Sequence, residues 1–125
     1  MGDDNTTSDY KKSVWNFDEA EYKLIFFFKS EVASCLRLWD LGNAYWNLRR
    51  LRSEVDAKVT DLERKDLDSK TDKLDIDKNK YEEEANNKQN QADFYIALDE
   101  YYRDICRLLK KHGSFFREQE DDEGL

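Results

Sequence analysis

The stretch that decides the fold is residues 24–39, which read LIFFFKSEVASCLRLW. From Leu24 to Trp39 apolar side chains recur at intervals of three and four, the spacing of one face of an α-helix. Three consecutive phenylalanines within it point about 100° apart on a helix, so no single apolar stripe can hide all of them. The pattern therefore predicts a helix that other surfaces cover from more than one side.

The composition favours helices throughout the 125-residue chain. It contains no proline, the residue that most strongly breaks helix interiors, and only four glycines. Charged residues make up 40% of the chain, whereas ordinary globular proteins contain about 25%. The length corresponds to one domain at most. We therefore expect an all-α protein with a single domain.

Three helices are predicted, at about residues 17–40, 43–67 and 77–111. The first break is placed at Leu41-Gly42-Asn43, because glycine and asparagine enter a left-handed, helix-ending conformation at low cost. A continuous helix with a weak point there is the alternative. The second break is a hairpin tip near Asp68–Asp75, where short polar side chains favour local hydrogen bonding over a helix.

The apolar residues are distributed unevenly along these helices. On the second helix they form a narrow seam with intervals of 3, 4, 4 and 3, which is typical of a coiled coil; its members are Leu48, Leu51, Val55, Val59 and Leu62. The third helix is polar before Phe94 and rich in apolar residues after it. The sequence therefore predicts a three-helix bundle with a long, polar, antiparallel coiled-coil hairpin that projects from an aromatic-rich base.

The two ends of the chain differ from its middle. Residues 1–14 are small, polar and aperiodic, so we predict a disordered N-terminal arm, followed by a helical domain over 15–116 and an acidic C-terminal tail over 117–125. No apolar run approaches the roughly 20 residues that span a membrane, and no signal-peptide pattern follows Met1. We expect a cytoplasmic protein that has no membrane partner.

Charge is also uneven within the net total of −8. The stretch 32–53 contains four arginines and one acid, whereas 54–93 contains eight bases and thirteen acids. If the second and third helices pair antiparallel, five arginines come close together and predict a binding surface for an acidic protein: Arg49, Arg50, Arg52, Arg103 and Arg107. The overall acidity argues against nucleic acid as the partner. The alternative is that these arginines pair with the chain's own carboxylates.

The residues that carry chemistry are few. His112 is the only histidine and has no cysteine or second histidine near it, so no metal site or cofactor is predicted. The acids Glu82–Glu84, with Asp99, Glu100 and Asp104, resemble those of all-α nucleotide pyrophosphohydrolases, which hold magnesium with carboxylates from two helices. Asn86 or Asn87 stands where that family has a further glutamate. The resemblance implies a carboxylate-dependent magnesium nucleotide hydrolase as a lesser alternative.

The first helix carries more aromatic surface than a three-helix base can cover, and such surplus apolar surface marks interfaces. Phe26, Phe27, Leu38 and Trp46 are therefore predicted to form an oligomer interface. The favoured function is a non-enzymatic protein–protein interaction or scaffold protein that acts as a homo-oligomer, with a dimer preferred. The alternative is an acidic inhibitor, as found in mobile elements, that blocks a nucleic-acid-binding surface of a partner protein.

Overall fold

The structure, a computed structural model, describes residues 19–112 and contains four α-helices in that range. They are α1 (Glu19–Arg37), α2 (Leu41–Val55), α3 (Asp61–Glu83) and α4 (Lys88–His112), with a 3-10 turn over Asp56–Lys58 after α2. Residues 19–112 contain no strand, so the all-α prediction is confirmed. The predicted arm over 1–14 and the predicted tail over 117–125 lie outside the described residues.

Side-chain contacts give the relative directions of α2, α3 and α4. The ring of Tyr45 lies 6.2 Å from that of Phe94, and Arg52 contacts Tyr101, seven residues further along each helix. Helices α2 and α4 therefore run parallel. Arg52 also binds Asp68 of α3, whereas Tyr45 binds residue 75 further along α3, so α3 runs antiparallel to both.

Helix α1 completes an up-down-up-down arrangement. It packs against α2 after a three-residue turn, and it also contacts α4. Trp39 stacks on Tyr95 with ring centroids 4.3 Å apart, and Tyr102 donates a hydrogen bond to the Lys29 carbonyl. Helices α1 and α4 are thus antiparallel. The pair α2 and α4 forms the centre of the molecule, with α1 and α3 on either side.

All four helices contribute to one hydrophobic core. The members that are almost fully buried include Ile25 and Val32 from α1, Leu48 and Leu51 from α2, Leu67 and Leu74 from α3, and Phe94, Leu98, Tyr101 and Ile105 from α4. The seam predicted on the second helix is buried from Leu48 to Val59, but Leu62 is 80% exposed. On α4 the core extends from Phe94 to Leu109 and is not confined to one end of the bundle.

The first break lies earlier than predicted, because Trp39 and not Gly42 ends α1. Trp39 has a left-handed backbone conformation (φ 56°), its amide donates to the Leu36 carbonyl, and the Asp40 amide donates to the Cys35 carbonyl. This is the Schellman arrangement, which usually contains glycine. The stack of Trp39 on Tyr95 offsets the backbone strain. Gly42 lies inside α2, where a Cβ added to it would have no other atom within 4 Å.

The predicted hairpin tip and the predicted projecting arm are wrong. The helix expected over 43–67 ends at Val55, and α3 then runs through the expected tip at Asp68–Asp75. Thr60 begins α3 with a capping box, in which its hydroxyl accepts from the Glu63 amide and the Glu63 carboxylate accepts from the Thr60 amide. The helix expected over 77–111 is divided at residues 84–87. Three-helix architecture is therefore replaced by four packed helices.

The polar stretch that suggested a tip is helical because its side chains find partners on neighbouring helices. Thr71 is buried, donates to the Leu67 carbonyl within α3, and lies 2.6 Å from the Tyr101 hydroxyl of α4. Asp68 and Asp75 accept from arginines of α2. Tertiary hydrogen bonds thus outweigh the local preference of these residues for turns.

The start of α3 is tied to the end of α4 through Glu63. Its carboxylate lies 2.6 Å from Lys111 Nζ and 2.8 Å from His112 Nε2, and also caps Thr60. Burial alone would raise the pKa of Glu63, but the hydrogen bonds from Lys111, from the Thr60 amide and from His112 outweigh it and lower the pKa to about 2. The ionised carboxylate therefore stabilises the folded state.

The left-handed conformation of Trp39 can be tested by comparing two substitutions that remove the same indole. We expect Trp39→Gly to unfold at higher denaturant concentration than Trp39→Ala, by about 1 kcal/mol in free energy of unfolding, because only glycine adopts this conformation without strain. Urea titrations followed by circular dichroism measure the difference. Equal stabilities of the two variants would contradict the strained conformation.

Glu63→Gln should destabilise the protein at pH 7 by about 1–3 kcal/mol, because the ion pair with Lys111 is lost. The folded-state pKa of Glu63 is lower than the ordinary 4.5, so its contribution is present above pH 4.5 and is lost as the pH falls towards 2. The gap between wild type and variant should therefore close over that range. Glu83→Gln, at the exposed end of α3, is the control and should show no such closure.

Candidate interaction surface

The five arginines predicted to bind a partner do not lie together. Because α2 and α4 run parallel, Arg52 is next to Tyr101, and Arg103 follows two residues later on α4. Two residues correspond to about 200° of rotation, so Arg103 points away from α2. Arg107, one turn further, shares that outer side. The arginines therefore form two separate groups, one on α2 and one on α4.

Arg52 is a structural residue with little exposed surface. Its side chain is 12% exposed and donates to Asp68 of α3 at 2.5 Å and to Thr71 at 3.1 Å. A further contact reaches the Tyr101 hydroxyl at 3.5 Å. Burial opposes the charge on Arg52, but the bonds to Asp68 and Tyr101 outweigh it and raise the pKa of the guanidinium. Its hydrogen-bonding capacity is used within the bundle.

Arg49 belongs to a half-buried network between α2 and α3. The Tyr45 hydroxyl donates to Asp75 at 2.6 Å, and Arg49 donates to that hydroxyl at 2.7 Å. Lys78 lies 5.1 Å from the centre of the Tyr45 ring. Burial and the bond to Asp75 raise the pKa of Tyr45. This network fixes the register between the two helices.

The other three arginines are exposed. Arg103 pairs with Asp99 at 2.8 Å and Arg107 with Asp104 at 2.7 Å, each within one turn of α4. These are surface ion pairs of the kind that contribute little to stability. Arg50 lies on the outer face of α2, away from the core. The two groups thus leave exposed arginine on two different sides of the molecule.

Three of the four predicted interface residues are more than half exposed, namely Phe27 (52%), Leu38 (75%) and Trp46 (57%). Phe26 is half-buried and packs against the core. Phe27 and Leu38 are separated by 11 residues, about three full turns, so they share the outer face of α1. Trp46 belongs to the outer face of α2. The structure therefore distributes the predicted set over two neighbouring faces.

An exposed residue that the sequence did not single out lies on the same side of the molecule as Trp46. Tyr45 faces Asp75 across the α2–α3 contact, and the next residue on each helix is Trp46 and Ile76. When two neighbouring helices run antiparallel, moving one residue along each helix rotates the side-chain direction by about 100°, and both directions turn towards the same side of the pair. Both side chains therefore point outward on one side, about 3 Å apart along the helix axes. Ile76 is 55% exposed.

We call this side the α2–α3 outer face. It contains two parallel rows of exposed residues, which are Trp46, Arg50 and Ser53 on α2 and Ile76, Asp72 and Ser69 on α3. A single isoleucine among polar residues gives no apolar pattern from which its position could be predicted. Only the α2–α3 register places it on the same side as Trp46. That register depends on the Tyr45–Asp75 and Arg52–Asp68 contacts.

The carboxylates that resemble a magnesium site are not assembled in one place. Tyr81 packs on Phe94, which places Glu82 near the start of α4. Asp104 pairs with Lys70, which lies twelve residues before Glu82 on α3, about 18 Å along the helix. Within 19–112 no cluster of three or more acidic, histidine or cysteine side chains is arranged to hold a metal ion.

No helix in this range has the length and apolar content to cross a membrane.

Comparisons with protein-family models, curated proteins and solved structures gave no match to this chain.

The structural role of Arg52 separates it from the exposed arginines. Arg52→Ala should lower the free energy of unfolding by about 1–2 kcal/mol, because the buried Thr71 hydroxyl and the exposed Asp68 carboxylate lose their donor. Arg52→Lys should recover only part of the loss, since lysine cannot reproduce the guanidinium fork. Thermal and urea unfolding measure both. Arg103→Ala is the control and should leave the unfolding midpoints close to those of wild type; a loss there equal to that of Arg52→Ala would refute this distinction.

Proposed function

We propose that this protein is a non-enzymatic protein–protein interaction or scaffold protein that acts as a homo-oligomer. The observation that carries the proposal is the set of large apolar side chains left more than half exposed on the α1–α2 hairpin: Phe27, Leu38, Trp39 and Trp46. Aromatic residues of this kind are enriched in protein interfaces and dominate their binding energy.

Within the fold, Trp46 meets the Tyr45 ring edge-on at 5.2 Å and is still 57% exposed. Helix α2 already buries Leu41, Leu48, Leu51 and Val55 in the core, and Trp46 points to the opposite side. A polar residue at position 46 would be usual on the solvent-facing side of an amphipathic helix and would improve solubility. The cost of exposed tryptophan is explained if another protein surface covers it.

An acidic inhibitor of a nucleic-acid-binding protein is the second candidate, since α3 contains nine acids and six bases. Six of these acids lie within ion-pair distance of a lysine or arginine of the same chain; they are Asp61, Glu63, Asp66, Asp68, Asp75 and Glu82. Such pairing neutralises much of the field that a basic partner would recognise. The exposed apolar surface therefore supports the interaction protein better.

Sedimentation equilibrium from about 1 to 100 µM tests the proposal, in the concentration range where standard-size interfaces associate. We expect a species of twice the 15.0 kDa chain mass, or a higher multiple, that dissociates on dilution. The double variant Phe27→Asp/Trp46→Asp should shift the equilibrium towards monomer while retaining helical circular dichroism. A wild-type chain that stays monomeric over the whole range would refute oligomeric action.

A further inference from the structure

The two rows of the α2–α3 outer face are complementary to each other. Along α2, Arg50 lies one turn after Trp46, and Ser53 lies about two turns after it. Along α3, which runs the other way, Asp72 and Ser69 lie at the same distances before Ile76. Position by position the rows therefore pair apolar with apolar, base with acid and serine with serine.

A two-fold axis that is parallel to the helices and lies in this face brings the two rows together. Rotation by 180° about that axis places α2 of one copy over α3 of the other without changing the height of any residue. Trp46 then meets Ile76 of the second copy, and Arg50 meets Asp72 of the second copy. Each contact occurs twice, as symmetry requires of an isologous interface.

We infer that the α2–α3 outer face is the contact surface between two copies of this chain, related by a two-fold axis parallel to α2 and α3. This inference rests on the proposed homo-oligomeric function and identifies its interface. Two Trp46–Ile76 contacts form the apolar part of the interface, and two Arg50–Asp72 pairs lie together one helical turn away from it. An aromatic contact that is shielded beside charged pairs is a common feature of protein interfaces.

Charge complementarity selects a second copy as the occupant of this face. An unrelated acidic partner would pair with Arg50 but would be repelled by Asp72. A basic partner would pair with Asp72 but would be repelled by Arg50. A second copy satisfies both, because each chain presents one base and one acid at matched heights. The neighbouring residues Asn43 on α2 and Asn79 on α3 are exposed, neutral and equally matched in height.

The other apolar residues do not form a comparable surface. On the outer face of α1, Glu31 and Ser34 separate Phe27 from Leu38. Trp39 is already stacked on Tyr95. On α4, Ile96 is exposed beside charged residues that pair within the helix. The α2–α3 outer face combines two exposed apolar side chains with opposite charges in register.

Charge reversal with subunit mixing tests the arrangement. In Arg50→Asp homodimers, both contacts between positions 50 and 72 become acid–acid, and in Asp72→Arg homodimers both become base–base. Each variant alone should therefore dimerise about tenfold more weakly than wild type. When the two variants are mixed in equal amounts, each of these contacts in the heterodimer joins an acid and a base, and its affinity should return to within about threefold of wild type. No contact within one chain can produce rescue by mixing.

The measurement is sedimentation velocity or fluorescence anisotropy of a labelled chain, with circular dichroism and thermal midpoints confirming that each variant is folded. Arg103→Asp, which changes the same charge on the outer side of α4, is the matched control and should leave dimerisation unchanged. Trp46→Asp and Ile76→Asp each place a charge in the apolar part of the interface and should weaken the dimer about a hundredfold.

The outcomes separate this inference from the proposed function. A monomeric wild-type chain would overturn both. An oligomer that is unaffected by Arg50→Asp, Asp72→Arg and Trp46→Asp would overturn this interface and leave the proposed function intact. Single variants that dissociate without rescue on mixing would overturn the two-fold pairing of α2 with α3. Dissociation of both single variants together with rescue in the mixture would establish it.

Discussion

Arg52, Thr71 and Tyr101 meet where α2, α3 and α4 come together, and the position of α3 depends on this junction. Helix α3 buries only Leu67, Thr71 and Leu74. At roughly 25 cal/mol per Å² of apolar surface, so few side chains supply far less hydrophobic stabilisation than α4 obtains. Hydrogen bonds that a buried arginine donates to hydroxyl and carboxylate groups must therefore fix the register of α3, and an unsatisfied partner there would be costly.

A helix held in this way has a consequence for the outer surface. Because the inner face of α3 is narrow, most of the helix faces solvent, and its side chains can be polar without loss of packing. Leu62, at the start of α3, and Ile76 are exceptions, and the other outward positions around Ile76 contain lysine, serine, aspartate, asparagine and glutamate. The interface that we propose would cover this apolar residue together with the exposed tryptophan on the same side.

The parts of this fold that the sequence predicts depend on interactions between residues close together in the chain, whereas the parts that it does not predict depend on residues far apart in the chain. The absence of proline and the apolar periodicity of 24–39 and 94–109 predict helices correctly, because those signals are local. The capping box at Thr60 and Glu63 was also present in the sequence and marks the start of α3. The helical state of Asp68–Asp75 was not predictable, since its polar side chains are satisfied by arginines some 16 to 26 residues away.

The same distinction applies to the interaction surface. Trp46 and Leu38 could be proposed from the surplus of aromatic residues, but Ile76 acquires meaning only from the register that Tyr45 and Asp75 impose. The five arginines failed as a single cluster because their proximity required α2 and α4 to be antiparallel. Because a third helix lies between them in the chain, α2 and α4 run parallel. Arg52 then lies next to Tyr101, and Arg103, about 200° further round α4, points away from α2.

Two local preferences are broken within four residues of the α1–α2 turn, and they have different explanations. Trp39 takes the left-handed position that glycine would occupy at lower cost, and its stack on Tyr95 joins the α1–α2 turn to α4. Gly42 occupies a helical position that alanine would suit better, with open space around it. Packing within the described chain does not explain Gly42, whose bare backbone would allow a second copy to pack closely on α2. It lies one turn before Trp46, on the same outer side of α2, and so borders the interface that we propose.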